Sequence, residues 1–158
     1  MAFEIERKFL VKGDFKHLAT SSTYIVQGYI FRNDAKCVRV RLKGDKGYIT
    51  IKSSLESSTV TRNEWEYEIP AHQVNEMLRI CEQGVIEKTR YIVNWKNLVV
   101  EVDEFYGENE GLLMAEVELS TESQQFEKPD FLGEEVTGDP RYYNSELSRN
   151  PYKNWKQI

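Results

Sequence analysis

Near the start of the chain, Glu4, Glu6 and Lys8 recur at every second position. In an extended strand this spacing puts all three side chains on one face, with Phe3, Ile5, Arg7 and Phe9 on the other. Two carboxylates beside an ammonium have a definite chemical use. The carboxylates offer oxygen ligands to a hard divalent cation, and the ammonium attracts an anion. A single strand of this kind is equally an ordinary amphipathic strand turned toward water. Its repetition along the chain calls for another explanation.

The same sorting returns six times. Arg39, Arg41 and Lys43 oppose Val38, Val40 and Leu42, and Thr50 and Lys52 oppose Ile49 and Ile51. Arg62, Glu64, Glu66 and Glu68 oppose Trp65, Tyr67 and Ile69. Lys88 and Arg90 share their parity with Ile86 and Ile92, so that segment is mixed. Glu101 and Asp103 oppose Val100 and Val102, and Glu116 and Glu118 oppose Ala115, Val117 and Leu119. The charges also separate by sign. The segments holding Arg39, Lys52 and Lys88 are basic, and those holding Glu4, Glu101 and Glu116 are mainly acidic. Arginine supplies much of the positive charge, and its planar fork suits phosphate oxygens. Threonine and tyrosine, common on solvent-facing sheets, are scarce on these faces.

The elements that would carry these faces are short runs of period-two alternation, the mark of antiparallel β structure. Strands are expected at residues 3–11, 24–31, 37–43, 48–53, 62–69, 86–95, 98–105 and 114–120. Asn33-Asp34, Lys43 to Gly47 and Lys96-Asn97 have the chemistry of hairpin connections. Helices are expected at Gly13–Thr20, at Ala71–Cys81 behind Pro70 with Gly84 as its stop, and from Asp139-Pro140 to Leu147. Thr121–Asp130 reads as a polar loop or loose helix. The expected fold class is mainly β (α+β): an eight-stranded antiparallel barrel with a few outer helices, closure removing the exposed edges. An immunoglobulin-like sandwich lacks its Cys-Trp-Cys pattern.

A barrel can satisfy the pattern in two ways. Its apolar faces can fill a narrow interior with every charge outside. Alternatively, the charged faces can line a wet lumen while helices or a partner subunit cover the apolar exterior. The sign clustering and the arginines favour the second. A dry lumen with so many ionised groups would be costly, and water, divalent cations and a polyanion would offset that cost. Acids holding Mg²⁺ or Mn²⁺ opposite bases clamping phosphates make a site for phosphoryl transfer.

The 158 residues are expected to form one domain, large enough for a proper core, with 40% hydrophobic and 30% charged residues. A net charge of −5 argues against a nucleic-acid partner, although a local basic pocket stays possible. There is no membrane-length apolar run and no signal-peptide pattern, and a cytoplasmic location is expected. Cys37 and Cys81 lack metal or disulfide spacing and read as small apolar fillers. His17 and His72 lie off the charged faces. Trp65, Tyr67 and Trp95 are expected to pack under helices or a partner, and Arg7 to pair with an acid outside. Tyr142, Tyr143 and Trp155 are expected mainly to pack, with closure of one tunnel mouth as the alternative.

Together, Glu4-x-Glu6-x-Lys8, Gln27-Gly28-Tyr29, Val38 to Arg41, Thr50-Ile51-Lys52, Arg62-x-Glu64-x-Glu66, Lys88-x-Arg90, Glu101-x-Asp103 and Glu116-x-Glu118 resemble the CYTH superfamily, the triphosphate tunnel metalloenzymes. They stand in that family's order across about three quarters of the chain. The resemblance implies a tunnel that binds a small-molecule triphosphate with Mg²⁺ or Mn²⁺. It implies Glu4, Glu6, Glu116 and Glu118 as metal ligands, and Lys8, Arg39, Arg41, Lys52, Arg62, Lys88 and Arg90 as the phosphate clamp. Lys8, Tyr29, Glu64, Glu66 and Asp103 become catalytic candidates, Tyr29 through a hydrogen bond to Lys8 and the acids through ordering of water or a second ion. The activity implied is hydrolysis of inorganic tripolyphosphate to pyrophosphate and phosphate. Adenylate cyclisation, thiamine triphosphate hydrolysis and non-catalytic polyphosphate binding are the alternatives on the same scaffold. A homodimer is also implied.

Overall fold

A computed structural model describes residues 2–155. Among them are nine strands: β1 (Ala2–Val11), β2 (Ala19–Arg32), β3 (Lys36–Lys43), β4 (Lys46–Ser54), β5 (Thr61–Ile69), β6 (Ile86–Trp95), β7 (Leu98–Phe105), β8 (Leu113–Glu118) and β9 (Leu132–Glu135). Helices α1 (Ala71–Leu78) and α2 (Asn144–Leu147) are short. The strands run in the order β5-β4-β3-β2-β6-β7-β8-β1, and β1 pairs back onto β5. This closes an eight-stranded antiparallel barrel, with β9 added alongside the far end of β1. β1 manages three neighbours because its first half pairs with β5, its middle with β8 and its last residues with β9.

Turn chemistry sets the registers. Lys96 and Asn97 both have positive φ, 46° and 68°, as a two-residue type I′ hairpin requires, and Trp95 pairs with Leu98 across it. Residues directly opposite in an antiparallel pair share a face, so the pairs Glu4–Arg62, Lys8–Glu116, Glu6–Glu118, Glu101–Glu116, Arg90–Asp103, Tyr29–Arg39 and Lys52–Glu64 put the charged faces on one surface. That surface is the lumen.

The apolar faces are therefore outside and must be covered. On the β1, β6, β7 and β8 side, Phe9, Val93, Val100, Val102, Ala115 and Val117 form a core with Phe15, Phe131 and Leu132 from the overlying segments. On the other side α1 lies close against the barrel. A Cβ on Gly47 would come 2.7 Å from Val74, and one on Gly28 2.9 Å from the Cys81 sulfur, so bare backbone is what permits the approach. A second apolar cluster joins Ile86, Phe105 and Met114, all of lumen parity, to Val136, Tyr142 and Leu147. These residues floor one end of the lumen, which explains why the Lys88 face is mixed.

Three local expectations are corrected, and one strand is added. The Gly13–Thr20 helix is only a 3-10 turn at Lys16–Leu18, because Phe15 is buried and Ala19–Ser22 already pair with β6. α1 ends at Leu78 rather than Cys81, since the chain is drawn off so that the Glu82 N–H can donate to the Tyr29 carbonyl at 2.9 Å. Between Asp139 and Leu147 the extended Tyr143 (φ −72°, ψ 134°) separates a 3-10 turn at Pro140–Tyr142 from α2. Residues 121–130 contain no helix, and β9 was not expected at all. Arg7 does find its outer acid, a fork onto Glu135 of β9 at 2.7 and 2.6 Å. Trp95 packs on the outer core, but Tyr67 stays exposed within the chain.

Candidate active site

The lumen holds a cavity of about 220 Å³, lined among the described residues by eight lysine or arginine and seven glutamate side chains. Every residue singled out from the sequence lines it except Asp103. Asp103 shares the lumen face but is buried beneath Lys88 and Arg90, 1% exposed and off the cavity surface. A second cavity of about 220 Å³ adjoins the first, shares Lys8, Cys37, Lys52 and Arg62 with it, and extends toward Asn33–Lys36, Ser58–Val60 and Thr137–Gly138.

Three ionic clusters make up the wall. At the β1–β5 seam, Lys52 Nζ donates to both Glu4 oxygens at 2.9 and 2.8 Å, and Arg62 donates to Glu4 at 3.0 Å. On β3 to β5, Glu66 accepts from Thr50 at 2.7 Å and from Arg41 at 3.0 Å, and Arg39 donates to Thr50 at 3.3 Å. On β6 to β8, Arg90 forks onto Asp103 at 2.8 and 2.9 Å and reaches Glu101 at 3.1 Å, and Lys88 pairs with Asp103 at 2.8 Å. Lys8 lies between Glu6 and Glu116 at 3.5 and 3.3 Å. No hydrogen bond joins it to Tyr29 among the described residues, although Tyr29 is buried in the same wall. Its ammonium stands 6.0 Å from the centre of the Tyr143 ring instead.

The electrostatics divide the groups. Burial opposes ionisation of Glu4, yet Lys52 and Arg62 hold it well below the usual carboxylate range. Burial and the neighbouring Glu116 push Glu6 up, while Glu116, held by Lys8 and by a hydrogen bond from Glu6, stays low despite its own burial. At the other pair, a hydrogen bond with Glu101, then burial and the repulsion of Glu101 and Glu116, push the exposed Glu118 up to about 8. Burial drives Lys88 down to about 7 against the pull of Asp103. Burial and the nearby Arg39 and Arg90 bring Arg41 down to about 10. The Nε donors of Arg39 and Arg41 are buried without an acceptor among the described residues, which is what an oxyanion would supply.

Glu118 gives a pH test. Its folded-state pKa lies above the ordinary 4.5, so its contribution to stability is complete in acid and is lost as pH rises through about 8. In EDTA, the thermal midpoint of wild type relative to Glu118→Gln is expected to fall between about pH 4.5 and 8 and to level off above that. Parallel profiles for the two proteins would show that no shared proton exists.

Sequence reasoning gave Asn144 and Ser145 no place in the site and Tyr143 only the alternative of closing a tunnel mouth, yet all three line the cavity. They come from the segment entering α2, where no alternation marks them. Cys37 and Lys43 also line it, and here a signal existed, since both share the parity of Arg39 and Arg41.

A closed antiparallel barrel with opposed acids and bases facing a common lumen defines a charged-tunnel fold. The CYTH domain profile matches residues 2–148, and the chain belongs to that family. It is 54% identical over 159 residues to an inorganic triphosphatase of Acetivibrio thermocellus, covering 99% of this chain and 100% of the relative. It is 35% identical over 149 residues to an inorganic triphosphatase of Nitrosomonas europaea, covering 92% and 96%. Among solved structures it resembles the inorganic triphosphatase NE1496 with a TM-score of 0.68 and 34% identity, over 94% of this chain and 95% of that one.

Proposed function

We propose that this protein hydrolyses inorganic tripolyphosphate to pyrophosphate and phosphate with the help of Mg²⁺ or Mn²⁺. The observation that carries the reading is the single cavity in which eight cations and seven carboxylates meet. The two relatives named inorganic triphosphatase support it over nearly the full length of the chain.

In this reading Arg39, Arg41, Lys52, Arg62, Lys88 and Arg90, with Lys8, hold the phosphate oxygens, and burial strengthens each contact by excluding water. Glu66 fixes Arg41 and Thr50, and Asp103 fixes Arg90 and Lys88, so the clamp is set before substrate arrives. Burial and the neighbouring Glu116 push Glu6 up even with Lys8 between them, and Glu101 pushes Glu118 up, so a divalent cation would relieve a crowding of carboxyls at both places. Among the described residues no three side chains converge into a complete ligand set. An ion held by Glu4, Glu6, Glu116 or Glu118 would then complete its shell with phosphate oxygens and water, the usual manner of Mg²⁺. When bound, it supplies charge neutralisation and an activated water. For the homodimer, the outer face where Phe31, Ile51 and Tyr67 remain exposed is the surface available to a second copy. Among the described residues no helix is long and apolar enough to cross a membrane.

The test is a panel of tripolyphosphate, ATP, thiamine triphosphate and pyrophosphate, each with Mg²⁺, Mn²⁺ or EDTA. Phosphate release is expected from tripolyphosphate with metal, to vanish in EDTA, and to be absent from pyrophosphate. Tight tripolyphosphate binding without hydrolysis under every metal would leave a binding module. Cyclic AMP from ATP, with tripolyphosphate inert, would replace the activity with a cyclase.

A further inference from the structure

Near its apolar floor the cavity is lined not by a strand but by the turn into α2, and Asn144 is the residue there with chemistry still to place. Its Oδ1 accepts from Lys88 Nζ at 2.8 Å and from Gln27 Nε2 at 3.1 Å. An ammonium has only protons to offer, so the oxygen of the amide, not its nitrogen, must face Lys88. Gln27 is fully buried and is bound by the same logic, because only its nitrogen can meet an oxygen already taken by Lys88. The Lys88 contact thus orients the Asn144 amide, and Gln27 follows it, with its own Oε1 left without a partner among the described residues. The Asn144 Nδ2, carrying two N–H donors, has no acceptor among the described residues, although Asn144 lines the cavity.

We propose that Asn144 is a phosphate-binding residue, donating from Nδ2 to a non-bridging oxygen of the phosphate group nearest the floor, with Lys88 and Gln27 as its positioning residues. The inference rests on the tripolyphosphate reading above and deepens it. The lysines of the wall attract negative charge as point charges, whereas an amide N–H, like the arginine forks, is directional, and unlike them it is neutral. A neutral donor held rigidly beside Ile86, Phe105 and Met114 therefore sets how deep the chain sits without adding to the cationic repulsion already present.

The experiment uses uniformly ¹⁵N-labelled full-length protein in EDTA, titrated with tripolyphosphate so that binding is seen without turnover. The Asn144 side-chain amide is identified by its disappearance in Asn144→Asp, and the arginine Nε signals of Arg39 and Arg41 report the wall. Both sets are expected to shift together, with the Asn144 protons moving downfield at the same midpoint. Shifts in the arginines with a silent Asn144 amide would overturn the inference and leave the substrate reading intact. Stillness in both would remove metal-free capture of the anion by the cationic wall, and this inference with it, while the metal-dependent substrate reading is judged by the panel above. Kinetics give a second arm. Asn144→Asp keeps the acceptor for Lys88 but turns an oxygen toward the phosphate, and KM should rise roughly tenfold or more with a smaller change in kcat. A KM within about twofold of wild type would likewise overturn the assignment.

Discussion

Glu118→Gln and Glu6→Gln are each expected to lower tripolyphosphate turnover by roughly two orders of magnitude or more, because each removes a carboxyl that would give up its proton to hold the metal as an anion, where charge stabilisation is worth several kcal/mol. Glutamine preserves shape and hydrogen bonding, so the loss should fall on kcat and on the metal concentration needed, not on folding. Glu118 is exposed at the lumen rim and pairs across the ladder with Glu6, so its variant is the cleaner of the two. Arg39→Ala should behave differently. It removes a donor from the phosphate wall and should raise KM as well as lower kcat. Steady-state kinetics across a range of Mn²⁺ concentrations separate the patterns. Near-normal constants in all three variants would mean that the ionic lumen is not where the reaction occurs.

The parts of this architecture readable from sequence are those set by nearest-neighbour rules. Side-chain parity along an extended strand is a local property, so Glu4, Arg39, Glu66 and Glu116 could be assigned to one surface before any pairing was known. The direction of that surface, inward or outward, was not local. It depends on Phe15, Phe131 and Leu132 being available to cover the outer face, and those residues lie in segments without periodicity. β9 is only Leu132–Glu135, too short to show alternation, and it exists because Arg7 and the end of β1 offer it an edge. Ser21 to Thr23 fell between the expected helix and the expected strand, yet become strand by pairing with β6. Asn144 is the clearest case. A single asparagine beside a four-residue helix carries no sequence signal, and only the docking of α2 against Ile86 and Phe105 brings it to Lys88.

Asp103 shows how far the charged lumen depends on a group that does not line its cavity. It and Lys88 are each 1% exposed, and its two oxygens carry the fork of Arg90 as well as the ammonium of Lys88. Burial works against its ionisation, but Arg90 first and then Lys88 hold it below the usual carboxylate range. Asp103→Leu would strip both cations of that partner, leaving Arg90 to Glu101 and Glu116 and Lys88 to the neutral Asn144. The expected loss of stability is about 3–5 kcal/mol, the usual cost of breaking one side of a buried ionic cluster, or roughly 6–20 °C in the thermal midpoint at this chain length. Denaturant unfolding monitored by tryptophan fluorescence measures it directly. A second substitution tells the cause apart from mere repacking. If the penalty is the stranded ammonium, adding Lys88→Met to Asp103→Leu should recover part of the stability, because apolar replacement of both partners removes the unpaired charge. Further loss in the double variant, or a loss below about 1 kcal/mol in the single one, would mean that Asp103 is not what keeps the cationic wall folded.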